Sequence, residues 1–533
     1  MALFDNTDFI EKHGLPLIVL VFWILLINGV LLFPRENKSK GDSDSGNSNS
    51  NSNSIPMVHG LPIIGVAKEY FGSPFAFIMK NRKKFGNTFY CNIFNKKWLF
   101  ILAEEDVKIA IRASDNVANF LEAYRDLGRL LLPVTQIKKS YPDDVKKKID
   151  DRQGSAHIIA NSVRTPIIKA WIPSVRKIVQ DTLAELPNGN EQQLQIDLFE
   201  FARVSISRIT VVYLMGESTF TDDKSFLQKW TDLFEESDID RAFSNPYSAM
   251  TTMVMATLTG ERGIYAKIRN LLFPLIDKEI DECIAGNPLK PNPSFLSSSI
   301  RYRFDKEFKK DEGKIRMARD RIANDLFAFS FAAFSNSFAG AAWAIYHILR
   351  DTNGIGTRIR SEIENGPEDA ISPTLQNTIM EITRLYTPGQ IIRKVRKPLK
   401  LSDGKQANVG DMLAISTFIS LREGYTNPLS FDPDRFERGE HKGRLTGFGG
   451  GCHLCPGKNF AMLEISIFVQ ESLKCNFKEI QIGKMDSTGI LNKRDRDPQL
   501  KDIIDIEDHP NLELSQAGFL WRPSEPVMVT FER

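Results

Sequence analysis

The stretch GFGGGCHLCPGKNFA, residues 447–461, carries the side chains best suited to chemistry. Two thiols, Cys452 and Cys455, stand three positions apart, with glycines on both sides. The spacing suits zinc, a redox disulfide, or one thiolate held against a flat partner. A structural zinc site takes four ligands, usually completed by a second cysteine pair or by close histidines. The five cysteines contain no second pair, and of the seven histidines only His453 lies near a cysteine. A thioredoxin-like pair places the first cysteine where its helix opens. Here Pro456 is the natural first helical residue, which puts Cys455 at the helix mouth and leaves Cys452 in the loop. Unpaired N–H groups and the dipole at a helix start favour thiolate. Glycines let the backbone approach a flat group without Cβ clashes. Loop amides set the electron density on the sulfur.

A thiolate in a glycine cradle is what a heme iron needs on one of its faces. Phe448-x-x-Gly451-x-His453-x-Cys455-x-Gly457 is similar to the heme-binding signature of the cytochrome P450 superfamily. Three more motifs follow the order of that family. EITR places Glu381 three residues before Arg384, FDPDRF supplies Arg435, and a long apolar helix pattern with central polar residues precedes both. The resemblance implies heme b with Cys455 as the axial thiolate, which pushes electron density toward iron. It implies that Phe448 packs on the proximal face and that Gly451 and Gly457 belong to the cradle. It makes His453 and Arg393 partners of the heme propionates, and Cys452 a loop residue without a ligand role. Glu381, Arg384 and Arg435 become a structural charge network that fixes the loop. The fold implied is one large, mainly α domain with small β sheets. The family's Trp-x-x-x-Arg propionate pair is not visible around residues 130–160.

The distal side departs from the family pattern. Where a small residue, a glycine, an acid and a threonine are usual, this chain has Ala333-Phe334-Ser335-Asn336-Ser337. Ser337 keeps a hydroxyl able to bond oxygen or water. Asn336 orients water but cannot donate a proton as a carboxylic acid does. Phe334 stands where a groove normally lies beside the iron. The asparagine is locally similar to the cholesterol 7α-hydroxylase and prostacyclin synthase branch, which holds both a monooxygenase and an isomerase.

These residues need a large scaffold, and the chain of 533 residues provides one. Its first part is not globular. Gly14–Phe33 has no charged residue and is long enough to cross a bilayer. Acidic residues precede it, unlike a cleaved signal peptide, so residues 1–34 are expected to form an uncleaved anchor. Arg35, Lys38 and Lys40 follow and put the C-terminal side in the cytosol. Residues 35–55, rich in Ser and Asn, are a flexible tether. The catalytic part is expected over 56–533. Helical periodicity predicts helices over 173–186 and 226–237 and one long helix over 313–351. Its stretch from Leu326 to Leu349 lacks Asp, Glu, Lys and Arg, and a second membrane span competes with a helix through a large core. The polar interruptions Ser330, Asn336 and His347 favour the core. Strands are expected near 87–103, at 412–417 and at 527–531.

Hydrophobic residues at 42% and charged residues at 26% are ordinary for a folded protein, and a net charge of +2 argues against nucleic acid as a partner. The few scattered cysteines point to a reducing compartment. The leading expectation is a monooxygenase at the endoplasmic reticulum membrane, acting on a lipophilic sterol- or fatty-acid-like substrate. Its electrons would come from NADPH–cytochrome P450 reductase, with cytochrome b5 as a possible second donor. Arg438, Lys442, Arg444 and Lys458 would meet the acidic face of the reductase. An isomerase or dehydratase of lipid peroxides and a heme-based sensor are the alternatives. Pocket residues are sought between Asn116 and Leu132, Phe120 and Tyr124 among them. Removing residues 1–40 is expected to leave a heme-loaded protein that stays in solution without detergent. A continued need for detergent would make 326–349 membrane-inserted.

Overall fold

The structure is a computed structural model. It describes residues 55–61, 65–94, 96–120, 122–123, 126, 163–186, 194–217, 219, 225–237, 264–367, 370–475, 477–485, 491–492, 497–506, 509–514 and 520–531. The expected anchor, nearly all of the tether, Tyr124 and Leu132 lie outside these residues.

Four helices form the centre, each marked by its sequence. Helix α1, Leu198–Met215, starts where the Asp197 side chain accepts from the amides of Phe199 and Glu200 and stops at Gly216. Helix α2, Arg319–Leu349, is the long apolar one. Helix α3, Pro373–Tyr386, opens with Ser372 as cap and proline at its first position. Helix α4, Lys458–Lys474, follows the glycine-rich loop. Helix α2 packs against the other three, and α4 also touches α1 and α3. Every residue from Ser337 to Ile348 is buried. Among the described residues no helix is long and apolar enough to cross a membrane. The apolarity of α2 is that of a core helix, and burial against three neighbours accounts for it.

One expectation needs correcting here. The single helix over 313–351 is two, Glu312–Met317 and α2, separated at Ala318, where ψ opens to −5°. The first piece has its own cap, since the Asp311 side chain accepts from the Lys314 amide at 3.0 Å. The other two expected helices stand at Ile172–Ala184 and Phe226–Ser237.

The main sheet has six strands: β1 Met57–Val58, β2 Thr88–Ile93, β3 Lys96–Ile101, β4 Ala118–Asn119, β5 Gln390–Val395 and β6 Met412–Ser416. Their spatial order is β1-β2-β3-β6-β5-β4. Strands β2 and β3 form an antiparallel hairpin with Cys91 opposite Trp98. Strand β3 runs parallel to β6, β6 runs antiparallel to β5, and β5 runs antiparallel to β4. A three-stranded sheet joins Leu194–Asp197, Phe477–Ile482 and Val527–Phe531. Strand β5 carries Arg393 between two partners, so this arginine does not lie on an exposed edge.

Candidate active site

The loop from Thr446 to Gly457 is built of short turns that stack on the core. Thr446 and Gly449 exchange backbone hydrogen bonds at 3.2 and 2.8 Å, and the Cys455 amide donates to the Phe448 carbonyl at 2.8 Å. Gly449 and Gly451 adopt φ of 84° and 66°, the left-handed region that favours glycine. A Cβ on Gly451 would fall 2.4 Å from the Ile111 carbonyl oxygen, and one on Gly447 would fall 2.4 Å from Thr383 Cβ. The loop is thus pressed against two elements at once, with α3 beneath Gly447.

Cys455 lies within this loop, the residue open to solvent while protein crowds its thiol. Helix α4 begins at Lys458, with Gly457 as its cap, and Pro456 belongs to the turn before it. The expected start at Pro456 is therefore early by two residues. The amides of Gly457 and Lys458 at the helix start reach the Cys455 sulfur, and the Lys458 amide also donates to the Cys455 carbonyl at 3.3 Å. Burial pushes the Cys455 thiol up, and these two amides pull it partly back. Cys452 sits in the short turn Gly451–His453, also exposed.

Glu381, Arg384 and Arg435 come together as expected. All three are at most 1% exposed. Arg384 donates to both Glu381 oxygens at 2.7 and 2.8 Å, and Arg435 Nε donates to Oε1 at 3.1 Å. Arg384 also holds the carbonyls of Leu421 and Pro428, and Arg435 holds that of Thr426. One carboxylate therefore ties α3 to the segment that leads into the glycine loop.

The two basic residues expected at the propionates lie together. Arg393 is 1% exposed. Its guanidinium carbon stands 4.9 Å from the centre of the Phe120 ring, and the same ring stacks on His453 at 4.8 Å. His453 Nε2 also lies 2.8 Å from Asp115 Oδ1. The donor set suits a heme: one sulfur in a cradle free of Cβ atoms, and two basic side chains grouped to one side for carboxylates.

On α2, Ser337 is buried, whereas Asn336 is half-buried and accepts a hydrogen bond from the Leu520 amide at 2.9 Å. Asn336 Oδ1 thereby fastens the C-terminal segment to α2. Phe334 is half-buried and packs on Phe338, ring centres 5.1 Å apart.

Sequence reading missed one residue here. Glu464 on α4 is 0% exposed, and α4 comes close to α2 where Gly340 meets Ile465. Among the described residues neither Glu464 oxygen has a hydrogen-bond partner of ordinary geometry. The Ser337 hydroxyl is the one side-chain group that pulls its acidity back. Burial outweighs that and pushes the carboxyl up to about 8. A lone acid inside the apolar run NFAMLEISIFV was the available signal.

The fold and the site define a heme-thiolate enzyme. Residues 55–485 match the family Cytochrome P450, and the chain belongs to that family. It is similar to sterol 14α-demethylase of Mycolicibacterium vanbaalenii, 22% identical over 75% of this chain and 86% of that protein. It is also similar to human 24-hydroxycholesterol 7α-hydroxylase, 21% identical over 78% and 85%. The structure of the cyanobacterial CYP120A1 bound to retinoic acid shares the fold. Its TM-score is 0.61 at 16% identity, covering 90% of this chain and all of the other. The cofactor of the family is heme with a cysteine thiolate on iron, and the chain is an oxidoreductase of the monooxygenase type.

The raised pKa of Glu464 has a stability consequence. Below the ordinary carboxyl value near 4.3 both folded and unfolded chains hold the proton, and no stability is lost. As pH rises toward about 8 the unfolded chain has released a proton that the folded one keeps, so stability falls. The slope approaches about 1.4 kcal/mol per pH unit for this one group. Glu464→Gln is expected to lose this slope, so its melting temperature relative to the parent rises between about pH 5 and pH 8. Parallel melting curves across that range would show that Glu464 is ionised in the folded protein.

Proposed function

We propose that the protein is a heme-thiolate monooxygenase that inserts one oxygen atom from O2 into a lipophilic, sterol- or fatty-acid-like substrate, with Cys455 as the iron ligand. The observation that carries this reading is the Cys455 sulfur, met by the amides of Gly457 and Lys458 and held in a loop clamped onto the Glu381 network. The names of two similar proteins, a sterol demethylase and a hydroxycholesterol hydroxylase, support an apolar ring-bearing substrate. The expected anchor, 1–34, would hold residues 56–533 at the cytosolic face of the endoplasmic reticulum through the tether.

When bound, the heme supplies oxygen activation and the oxidising power of the reaction. The remaining work belongs to the chain. Cys455 donates electron density, and Phe448, Gly451 and Gly457 shape the loop around the sulfur. Arg393 and His453 hold the two carboxylates of the cofactor. Ser337 places a hydroxyl on the buried face of α2, where protons must be handed on in a water-poor space. Glu464 keeps a proton at neutral pH directly behind that hydroxyl, in place of the acid that Asn336 replaces. The apolar wall, with Phe334 beside Phe338, excludes water from the substrate.

Electrons would reach the site from NADPH–cytochrome P450 reductase. Two of the four expected docking residues are tied down within the chain: Arg438 pairs with Asp432 and Glu440, and Arg444 with Glu104. Lys442 and Lys458 are the candidates left for steering an acidic partner.

Cys455→Ser is expected to abolish the long-wavelength band of the reduced carbonyl complex that marks thiolate-ligated heme. Cys452→Ala should keep that band and cost at most about 1 kcal/mol of stability, as an ordinary surface change does. Loss of the band in Cys452→Ala alone would overturn the ligand assignment.

Ser337→Ala and Glu464→Gln are each expected to release more peroxide per product formed in a reductase-driven assay. Together they should do little more than either alone, since both act on one proton. Normal coupling in both variants, with turnover of a lipid hydroperoxide in the absence of reductase, would favour an isomerase.

A further inference from the structure

Residues 115–120 connect the two basic groups assigned to the cofactor carboxylates. Strand β4 pairs with Lys394 and Val395, which brings the following residue, Phe120, alongside Arg393. Asp115 Oδ1 accepts from the Phe120 amide at 3.3 Å and faces His453 Nε2 at 2.8 Å. The Phe120 ring stacks on the His453 imidazole at 26° between planes. Beyond it, Arg396–Glu122 and Lys394–Asp126 ion pairs, both at 2.6 Å, fasten the segment to β5 and the residue after it.

Nothing in the expected role of this region accounts for that arrangement. Phe120 was sought as a wall of the substrate pocket, yet its ring is in contact with the two residues that face the cofactor carboxylates. An aromatic face attracts a guanidinium and tolerates a stacked imidazole, so one ring can set both at fixed positions. An arginine and a histidine left to themselves would sample several rotamers, and ordering them at the moment of binding costs affinity. A ring and a carboxylate already in place remove much of that cost.

We propose that Phe120 and Asp115 are positioning residues for the heme. Phe120 sets the spacing of Arg393 and His453, and Asp115 fixes the plane of the His453 ring, so that both basic groups meet the two carboxylates in one geometry. The proposal rests on the roles given above to Arg393 and His453.

The test is heme transfer from the reconstituted holoenzyme to excess apomyoglobin, followed in the Soret band. Arg393→Ala and His453→Ala serve as references. Phe120→Leu keeps the bulk and removes the aromatic face, and Asp115→Asn keeps the shape and removes the charge. Each is expected to lose heme about tenfold faster than the parent, the scale of one partly desolvated cation–π contact. Phe120→Trp should retain heme as the parent does. The affinity for lauric acid or cholesterol, read from the substrate-induced spectral shift, should not change in Phe120→Leu. Unchanged heme loss with weakened spectral binding would overturn the proposal and return Phe120 to the substrate wall. Equal heme loss in the Leu and Trp variants, with a lowered melting temperature of the heme-free protein, would also overturn it, as plain misfolding. If Arg393→Ala and His453→Ala leave heme loss unchanged, the carboxylate assignment itself fails. If they accelerate it and Phe120→Leu and Asp115→Asn do not, only the positioning claim falls.

Discussion

One buried carboxylate between two guanidinium groups holds the catalytic face in register. Glu381 is fully buried and accepts three hydrogen bonds from Arg384 and Arg435, plus one from the Asp432 amide at 3.0 Å. Such a cluster is a poor source of net stability, because taking three charges from water costs several kcal/mol per ion. Its worth lies in what breaking it would do. Removing one partner strands a buried charge, at about 3–5 kcal/mol. The guanidiniums also hold the carbonyls of Leu421, Pro428 and Thr426. The route of the chain from 421 to 440 is thereby set, and the cysteine loop starts from its end. Gly447, pressed onto Thr383 two residues along the same helix, completes the clamp.

Helix α2 is the second fixed body, and its polar residues explain how an apolar helix stays in a protein core. His347 lies 0% exposed with Nε2 2.9 Å from the Tyr386 hydroxyl, which in turn lies 2.7 Å from His509 Nε2. His509 Nδ1 faces the Pro510 carbonyl at 2.7 Å, an acceptor only, so Nδ1 carries the hydrogen and Nε2 accepts. Tyr386 therefore donates to His509, and His347 donates to Tyr386. Desolvation holds His347 well below its ordinary value, which agrees with a neutral ring. Trp343 stacks on Tyr386 at 4.2 Å and donates to the Trp521 carbonyl. The chain locks α2 to α3 and to the C-terminal segment, the same segment that Asn336 fastens two turns earlier.

Much of this was legible in the residues. The glycine spacing, the Glu-x-x-Arg pair and Arg435 pointed to each other across more than 70 positions, because a bidentate carboxylate–arginine cluster leaves recognisable residue types. The strands near 87–103 were readable as short apolar runs, and the helices over 173–186 and 226–237 from their apolar spacing. What escaped was set by tertiary contact. Strand β5 mixes polar and apolar residues without alternation, and only its position between β4 and β6 makes it a strand. Glu464 looks like one surface acid on a helix until α2 is laid across it. Asp115 meets a histidine 338 positions away, and no local pattern reports that. Asn336 was read for its chemistry toward water because its partner, the Leu520 amide, is a backbone group that any sequence supplies.

The same loop geometry also separates ligand from nucleophile, the two roles open to a cysteine at a helix mouth. A reactive thiol needs its pKa lowered, so that thiolate is present in water. Cys455 has the two helix-start amides that would do this, yet burial dominates and the thiol is pushed up. The amides here offset burial only in part. They are well placed to stabilise a thiolate whose charge is already balanced by a cation at the sulfur, and metal coordination deprotonates a thiol outright. Cys452 receives no such amides from a helix start. The environment of Cys455, two amides at a sulfur that burial alone would leave protonated, therefore suits a metal ligand better than a free nucleophile.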